Sequence, residues 1–150
     1  PRAERLVDHL VGLGLPARIS ADGPSDDSAS DIVSTATLSH APVLEGAWIG
    51  PGTHVDLVGA FRPDMREADD ALLLKAAIHV DARETVLDHI GELAIPLAAG
   101  TIARADVRGD LYDLVAGRGG RASDDAITLF KNGGGAHLDL MIARAIMTAL

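Results

Sequence analysis

The sequence contains no cysteine, which excludes a disulfide framework and thiolate metal ligation and leads us to expect a reducing, cytoplasmic setting. Its six histidines show no His-x-x-x-His or His-Glu-x-x-His spacing that would put two imidazoles on one helical face, so no metal site is expected. Aromatic residues number four, Trp48, Phe61, Tyr112 and Phe130. They are too few and too scattered for a base-stacking platform. Basic residues are the minority, 13 against 22 acidic ones, and the net charge of -9 repels polyanions. Nucleic acid is therefore not an expected partner. The longest stretch without a charged residue, Ile32 to Leu44, falls short of the roughly 20 apolar residues that cross a bilayer. A soluble protein with no membrane contact is the expectation. Pro1 to Glu4 carries neither a signal-peptide pattern nor an initiating Met, and reads as a cut rather than a start.

What is present suits a single globular unit, since 150 residues at 47% apolar content can bury one core. The spacing of Leu6, Val7, Leu10, Val11 and Leu13 predicts an amphipathic helix over Arg2 to Leu13, stopped by Gly12 and Gly14. Ala17 to Ile19 reads as a short strand, Asp22 to Ser28 as a polar turn, and Asp31 to Thr37 as a second strand. Further strands are expected at Thr53 to Ala60, Ile78 to Asp81 and Ala126 to Phe130. Helices are expected at Ala68 to Ala76, Arg83 to His89, Leu111 to Val115 and His137 to Leu150. Nearly continuous apolar strands alternating with helices indicate an α/β fold whose parallel sheet is covered on both faces.

One absence bears on that fold. A dinucleotide-binding sheet opens strand, glycine-rich turn, helix, with the pyrophosphate on the helix N-terminus. No G-x-G-x-x-G follows a strand here: Gly12-Leu-Gly14 closes a helix, and Gly133-Gly-Gly135 lies near the C-terminus. Either the fold is of another kind or its first unit is missing.

Three segments bear on the choice: Asp31-Ile-Val-Ser-Thr-Ala-Thr-Leu-Ser-His-Ala-Pro-Val-Leu44, Gly50-Pro-Gly-Thr-His-Val-Asp-Leu-Val-Gly-Ala-Phe-Arg-Pro-Asp-Met-Arg-Glu67, and Ile127-Thr-Leu-Phe-Lys-Asn-Gly-Gly-Gly-Ala-His-Leu-Asp139. In this order, with Asp81-x-Arg83 and Gly109-Asp-Leu111 between them, the sequence resembles the C-terminal half of the ornithine cyclodeaminase and mu-crystallin family. The resemblance implies a partial Rossmann-like, doubly wound parallel sheet lacking its first strand-helix-strand unit. It further implies an upstream dimerisation and substrate domain, hence a homodimer, and NADPH or NADH as cofactor. It places cofactor contacts at Thr35, Ala36 and Thr37, at Val58, Gly59 and Ala60, and at Lys131, Asn132 and Gly133.

Read as residues alone, Thr35-Ala-Thr37 and Val58-Gly-Ala60 are strand ends small enough to admit a ligand, or ordinary turns. Lys131 could be an exposed charge, a carboxamide contact or a partner for a substrate carboxylate. Asn132 suits a cap before the last helix. His54 and Asp56 share a strand face and could hydrogen-bond, although unrelated neighbours are the plainer reading. Asp64, Arg66, Glu67, Asp69 and Asp70 read as a charged helix entry, favoured by the helix dipole.

Cyclodeaminases of the resembled family carry an Asp two positions before the proline that corresponds to Pro63; here Phe61 stands there. A hydrocarbon neither takes nor gives a proton. The resemblance therefore implies the branch that reduces cyclic ketimines such as pyrroline-2-carboxylate or piperideine-2-carboxylate, with Phe61 as an apolar wall for the substrate. An ornithine cyclodeaminase and a non-catalytic NADPH-binding crystallin are the alternatives. The catalytic acid and the carboxylate clamp are expected upstream.

Overall fold

The computed structural model describes residues 2–19 and 30–149. The expected polar turn at Asp22 to Ser28 lies outside them. Helix α1 (Arg2–Gly12) ends as expected, with Gly14 at φ +78°. Strands β1 (Ile32–Thr35), β2 (His54–Leu57), β3 (Ala77–Val80), β4 (Val107–Gly109) and β5 (Thr128–Lys131) form one parallel sheet in the order β1-β2-β5-β3-β4. Between them run α2 (Asp70–Lys75), α3 (Arg83–Val86), α4 (Gly91–Ala99) and α5 (Leu111–Val115), and α6 (Ala136–Ala149) follows β5. No described helix is long and apolar enough to cross a membrane.

The α/β class and the parallel sheet match the sequence reading, while three elements differ from it. Ala17 to Ile19 forms no strand, because a strand exists only through a partner and none of the described strands pairs with it. Strand β4 and helix α4 went unread. The last strand, β5, inserts between β2 and β3, so the centre of the sheet is built from the chain's most distant segment.

The expected cover on both faces holds only at the sheet centre. In β2, Val55 and Leu57 are buried while His54 and Asp56 are half-exposed, the period-two pattern of a sheet packed on one side. Val55, Leu57, Leu129, Ile78 and Val80 share the inner face and pack with Leu72, Leu73, Val86 and Leu93 from the helices. Strand β5 is buried except for Phe130. Helices α1 and α6 expose their apolar residues, Leu6, Val11, Met141 and Met147 among them.

Candidate functional site

A parallel sheet delivers its strand ends to one edge, and register decides how well they line up. Thr35, Leu57, Lys131 and Val80 are direct partners across β1, β2, β5 and β3. The four ends are thus neighbours, with about 4.8 Å between adjacent strands. The segments singled out in the sequence follow at once: Ala36-Thr37 after β1, Val58-Gly-Ala60 after β2, Asn132-Gly133 after β5. At the carboxyl edge of an open parallel sheet they occupy the usual place for a ligand.

Two carboxylates hold this edge together. Glu67 Oε1 accepts the Thr37 N–H at 2.6 Å and Oε2 accepts the Gly59 N–H at 2.6 Å, so one side chain bridges the loops that leave β1 and β2. Asp81, just past β3, accepts the Gly133 N–H at 2.8 Å and the Ala82 N–H at 2.7 Å. It does for β3 and β5 what Glu67 does for β1 and β2. A Cβ added to Gly59 would lie 2.1 Å from the Thr37 carbonyl oxygen. Glycine is required there by the approach of the neighbouring backbone.

Glu67 is fully buried rather than part of a solvated helix entry, which corrects that reading for this residue. Its main chain is fixed as firmly as its side chain. Glu92, in the first turn of α4, accepts the N–H groups of Glu67 at 2.8 Å and Ala68 at 2.9 Å, and the Glu67 carbonyl accepts from Val43 and Leu44. Burial opposes ionisation of Glu67, but the hydrogen bonds from Thr37 and Gly59 outweigh it and hold the carboxyl below the ordinary glutamate value. The Thr35 hydroxyl is close enough to favour that charge yet outside hydrogen-bonding geometry, and Oγ1 remains buried without a partner. For Glu92 burial prevails over its two N–H donors and raises the pKa.

Of the three readings open for Lys131, the structure rules out the exposed charge. Lys131 is fully buried in the central strand, and its ammonium donates to the Leu57 carbonyl at 3.0 Å. Burial lowers its pKa, against the nearby charges of Glu92, Glu67, Asp81 and Asp56. The side chain ties β5 to the end of β2, leaving only its main chain at the edge. Asn132 accepts the Gly134 N–H at 2.7 Å, shaping the turn rather than capping α6. His54 pairs with Thr128 Oγ1 at 2.8 Å, and Asp56 accepts from Ser34 at 3.4 Å. No His54–Asp56 bond forms. Asp69 and Asp70 do sit at a helix entry, Asp69 capping α2 through the Leu72 N–H at 2.8 Å.

Beside the edge lies a cavity of about 680 Å³, lined by Asp81, Ala82, Thr85, Tyr112, Phe130 and Asn132 among others. Phe61 is 59% exposed, an uncovered hydrocarbon just beyond Ala60. Glu67 and Glu92 were missed by sequence reasoning. The only signal was an acidic residue inside otherwise apolar surroundings, as in Gly91-Glu-Leu-Ala-Ile95.

The parallel sheet, with its strand ends aligned at one carboxyl edge, defines a Rossmann-like α/β domain. Residues 2–150 match the model of the ornithine cyclodeaminase/mu-crystallin family, and the chain belongs to that family. It is 56% identical over 146 residues to the Delta(1)-pyrroline-2-carboxylate reductase of Paracoccus denitrificans, which covers 97% of this chain and 46% of the relative. The structure of Thermococcus litoralis Delta(1)-pyrroline-2-carboxylate reductase in complex with NADH and L-proline superposes with a TM-score of 0.84 at 34% identity, covering 95% of this chain and 43% of that one. An archaeal alanine dehydrogenase dimer with bound NAD gives 0.85 at 31% identity, covering 99% and 47%. The chain therefore spans about half the length of the relatives it matches.

Proposed function

We propose that the full-length protein is a cytoplasmic, homodimeric reductase that uses NADH or NADPH to convert pyrroline-2-carboxylate or piperideine-2-carboxylate to proline or pipecolate. The observation that carries this reading is the aligned edge of small residues, Thr35-Ala-Thr37 and Val58-Gly-Ala60, with a hydrocarbon, Phe61, immediately beyond it. The similarity to a pyrroline-2-carboxylate reductase supports the choice of substrate, the NAD-bound dimer of a related dehydrogenase supports the assembly, and the absence of cysteine agrees with the compartment.

The residues present fit a nicotinamide nucleotide. Thr35 offers a buried hydroxyl without a partner, Ala36 and Val58 are exposed, and Thr37, Gly59, Asn132 and Gly133 are half-exposed. We assign cofactor contact to these residues and, because their side chains are fully buried, to Ala60 and Lys131 through their main chains. When bound, the reduced nicotinamide supplies a hydride to the imine carbon, and the protein's share is orientation and a dry, shaped site. The small side chains let a flat ring approach the strand ends. Phe61 covers the apolar part of the substrate ring and keeps water from it.

The test is a spectrophotometric assay of the full-length protein with NADH or NADPH and pyrroline-2-carboxylate, set against ornithine with NAD. Oxidation of the reduced cofactor is expected in the first assay and no turnover in the second. Deamination of ornithine, or binding without turnover, contradicts the proposal. Phe61→Asp is expected to lower kcat/KM for the ketimine about tenfold or more without creating deaminase activity, because it removes the apolar wall and supplies a carboxylate without the supporting groups that acid–base chemistry needs.

A further inference from the structure

A bridge between two loops fixes the distance between them, and whatever lies across both loops feels that distance. Thr37 and Gly59 each lie two residues beyond partners in the β1–β2 register, Thr35 and Leu57. The ladder continues one step past the strands, with Val58 N–H donating to the Thr35 carbonyl at 2.9 Å. At the next step the N–H groups of both loops turn to one acceptor, the Glu67 carboxylate. Nothing in that arrangement can give easily. The carboxylate is fully buried, its backbone N–H is held by Glu92 and its carbonyl by Val43 and Leu44, and a Cβ at Gly59 would lie 2.4 Å from Glu67 Oε1.

Resting on the cofactor reading above, we propose that Glu67 is a positioning residue for the nicotinamide nucleotide: its carboxylate sets the spacing and aim of the Ala36-Thr37 and Val58-Ala60 loops across which the cofactor lies. Glu67 itself touches neither cofactor nor substrate. It acts by holding two backbone N–H groups at fixed places, and Glu92 acts one step further back by holding Glu67. An amide in its place keeps one acceptor but turns an NH2 group toward the second N–H, so one bridge is lost and two donors face each other. The loops then separate without any change in the residues that meet the ligand.

The experiment uses the full-length protein and reads the Kd for NADH and for NADPH by fluorescence titration, together with kcat, KM and Tm. In Glu67→Gln the Kd is expected to rise about tenfold, equivalent to ~1.4 kcal/mol, while kcat at saturating cofactor stays within about threefold of wild type, as loss of binding alone requires. Lys75→Met serves as the structural control. Lys75 ties α2 to the carbonyls of Gly46 and Ile49, away from the strand ends, and its removal is expected to lower Tm while leaving Kd unchanged. Glu67→Asp keeps the charge but is one methylene shorter and reaches one N–H only; it is expected to be folded and to weaken binding less than Gln. A wild-type Kd in either folded Glu67 variant overturns the proposal, as does an equal rise in Kd in Lys75→Met. If the wild type binds neither cofactor, the cofactor reading fails and the proposal with it. If it binds a cofactor but reduces no ketimine, only the substrate assignment fails, and the Kd comparison still decides the role of Glu67.

Discussion

The side chains that decide this site bind backbone rather than one another. Gly59 is where the requirement is sharpest, because the atoms a Cβ would meet are main-chain atoms of Thr37, at 2.1 and 2.3 Å, which no rotamer change can move. Gly59→Ala is expected to destabilise the protein by about 1–3 kcal/mol, as overpacking typically does, with the loss read as a lowered urea midpoint. A second residue carries the acid sensitivity. Asp113 accepts from Arg83 at 2.7 Å and from Arg118 at 2.8 Å, and the Arg83 bond first, then Arg118, holds its carboxyl down to about 2 from 3.8. Because the folded pKa is the lower one, the unfolded chain binds the extra proton, and the stabilisation is complete above pH 3.8 and disappears as pH falls toward 2. Denaturant titrations across that window are expected to show the advantage of wild type over Asp113→Asn shrinking. A difference independent of pH contradicts the assignment.

Short elements depend on their ends. Helix α2 has six residues and too little length to stand by propensity alone. Its N-cap, Asp69, accepts from Leu72 inside the helix and from Gly46 across the turn, both at 2.8 Å. Asp69→Ala is expected to cost about 0.5–2 kcal/mol, measured by thermal or urea unfolding, and to loosen the 46–48 turn that packs on the helix. Helix α4 shows the opposite situation. Its sequence, GELAIPLAA, opens on glycine, contains Pro96 and has no polar face, so local signals argue against a helix. It forms because it is packed on several sides: a Cβ at Gly91 would lie 2.4 Å from the Pro63 carbonyl oxygen and 2.6 Å from that of Met65, and Leu93 and Glu92 are fully buried.

At the scale of the whole molecule, the cofactor reading makes the aligned strand ends one part of a proposed dinucleotide site. The sequence contains no G-x-G-x-x-G turn between a strand and a helix, the motif by which a dinucleotide-binding sheet places a pyrophosphate on a helix N-terminus. We propose that this element and the dimer interface belong to the other half of the full-length protein. The 150-residue chain alone is then expected to bind NADH about two orders of magnitude more weakly than the full-length protein, the loss of several charge-assisted hydrogen bonds. Calorimetry on both proteins measures this, and equal affinities would remove the need for a second half. The exposed apolar residues of α1 and α6 fit the same expectation, since large open apolar surfaces commonly serve association.

The sequence by itself determined the α/β class, four of the five strands and the three segments that follow strand ends at the carboxyl edge, because apolar periodicity and small residues at strand ends are local properties. It also determined the family. The tertiary structure alone decided that β5 enters the centre of the sheet, since strand order depends on which edges remain free after the other strands have paired. It decided as well that Ala17 to Ile19 lacks a partner, and that one face of β1 and β2 stays open. Glu67, Glu92 and Lys131 show the limit most plainly. In sequence they are ordinary charges, two glutamates and a lysine. Their burial, and the backbone groups that make it tolerable, come from chain segments 8 to 74 residues away, and no local pattern records which N–H or carbonyl will be waiting there.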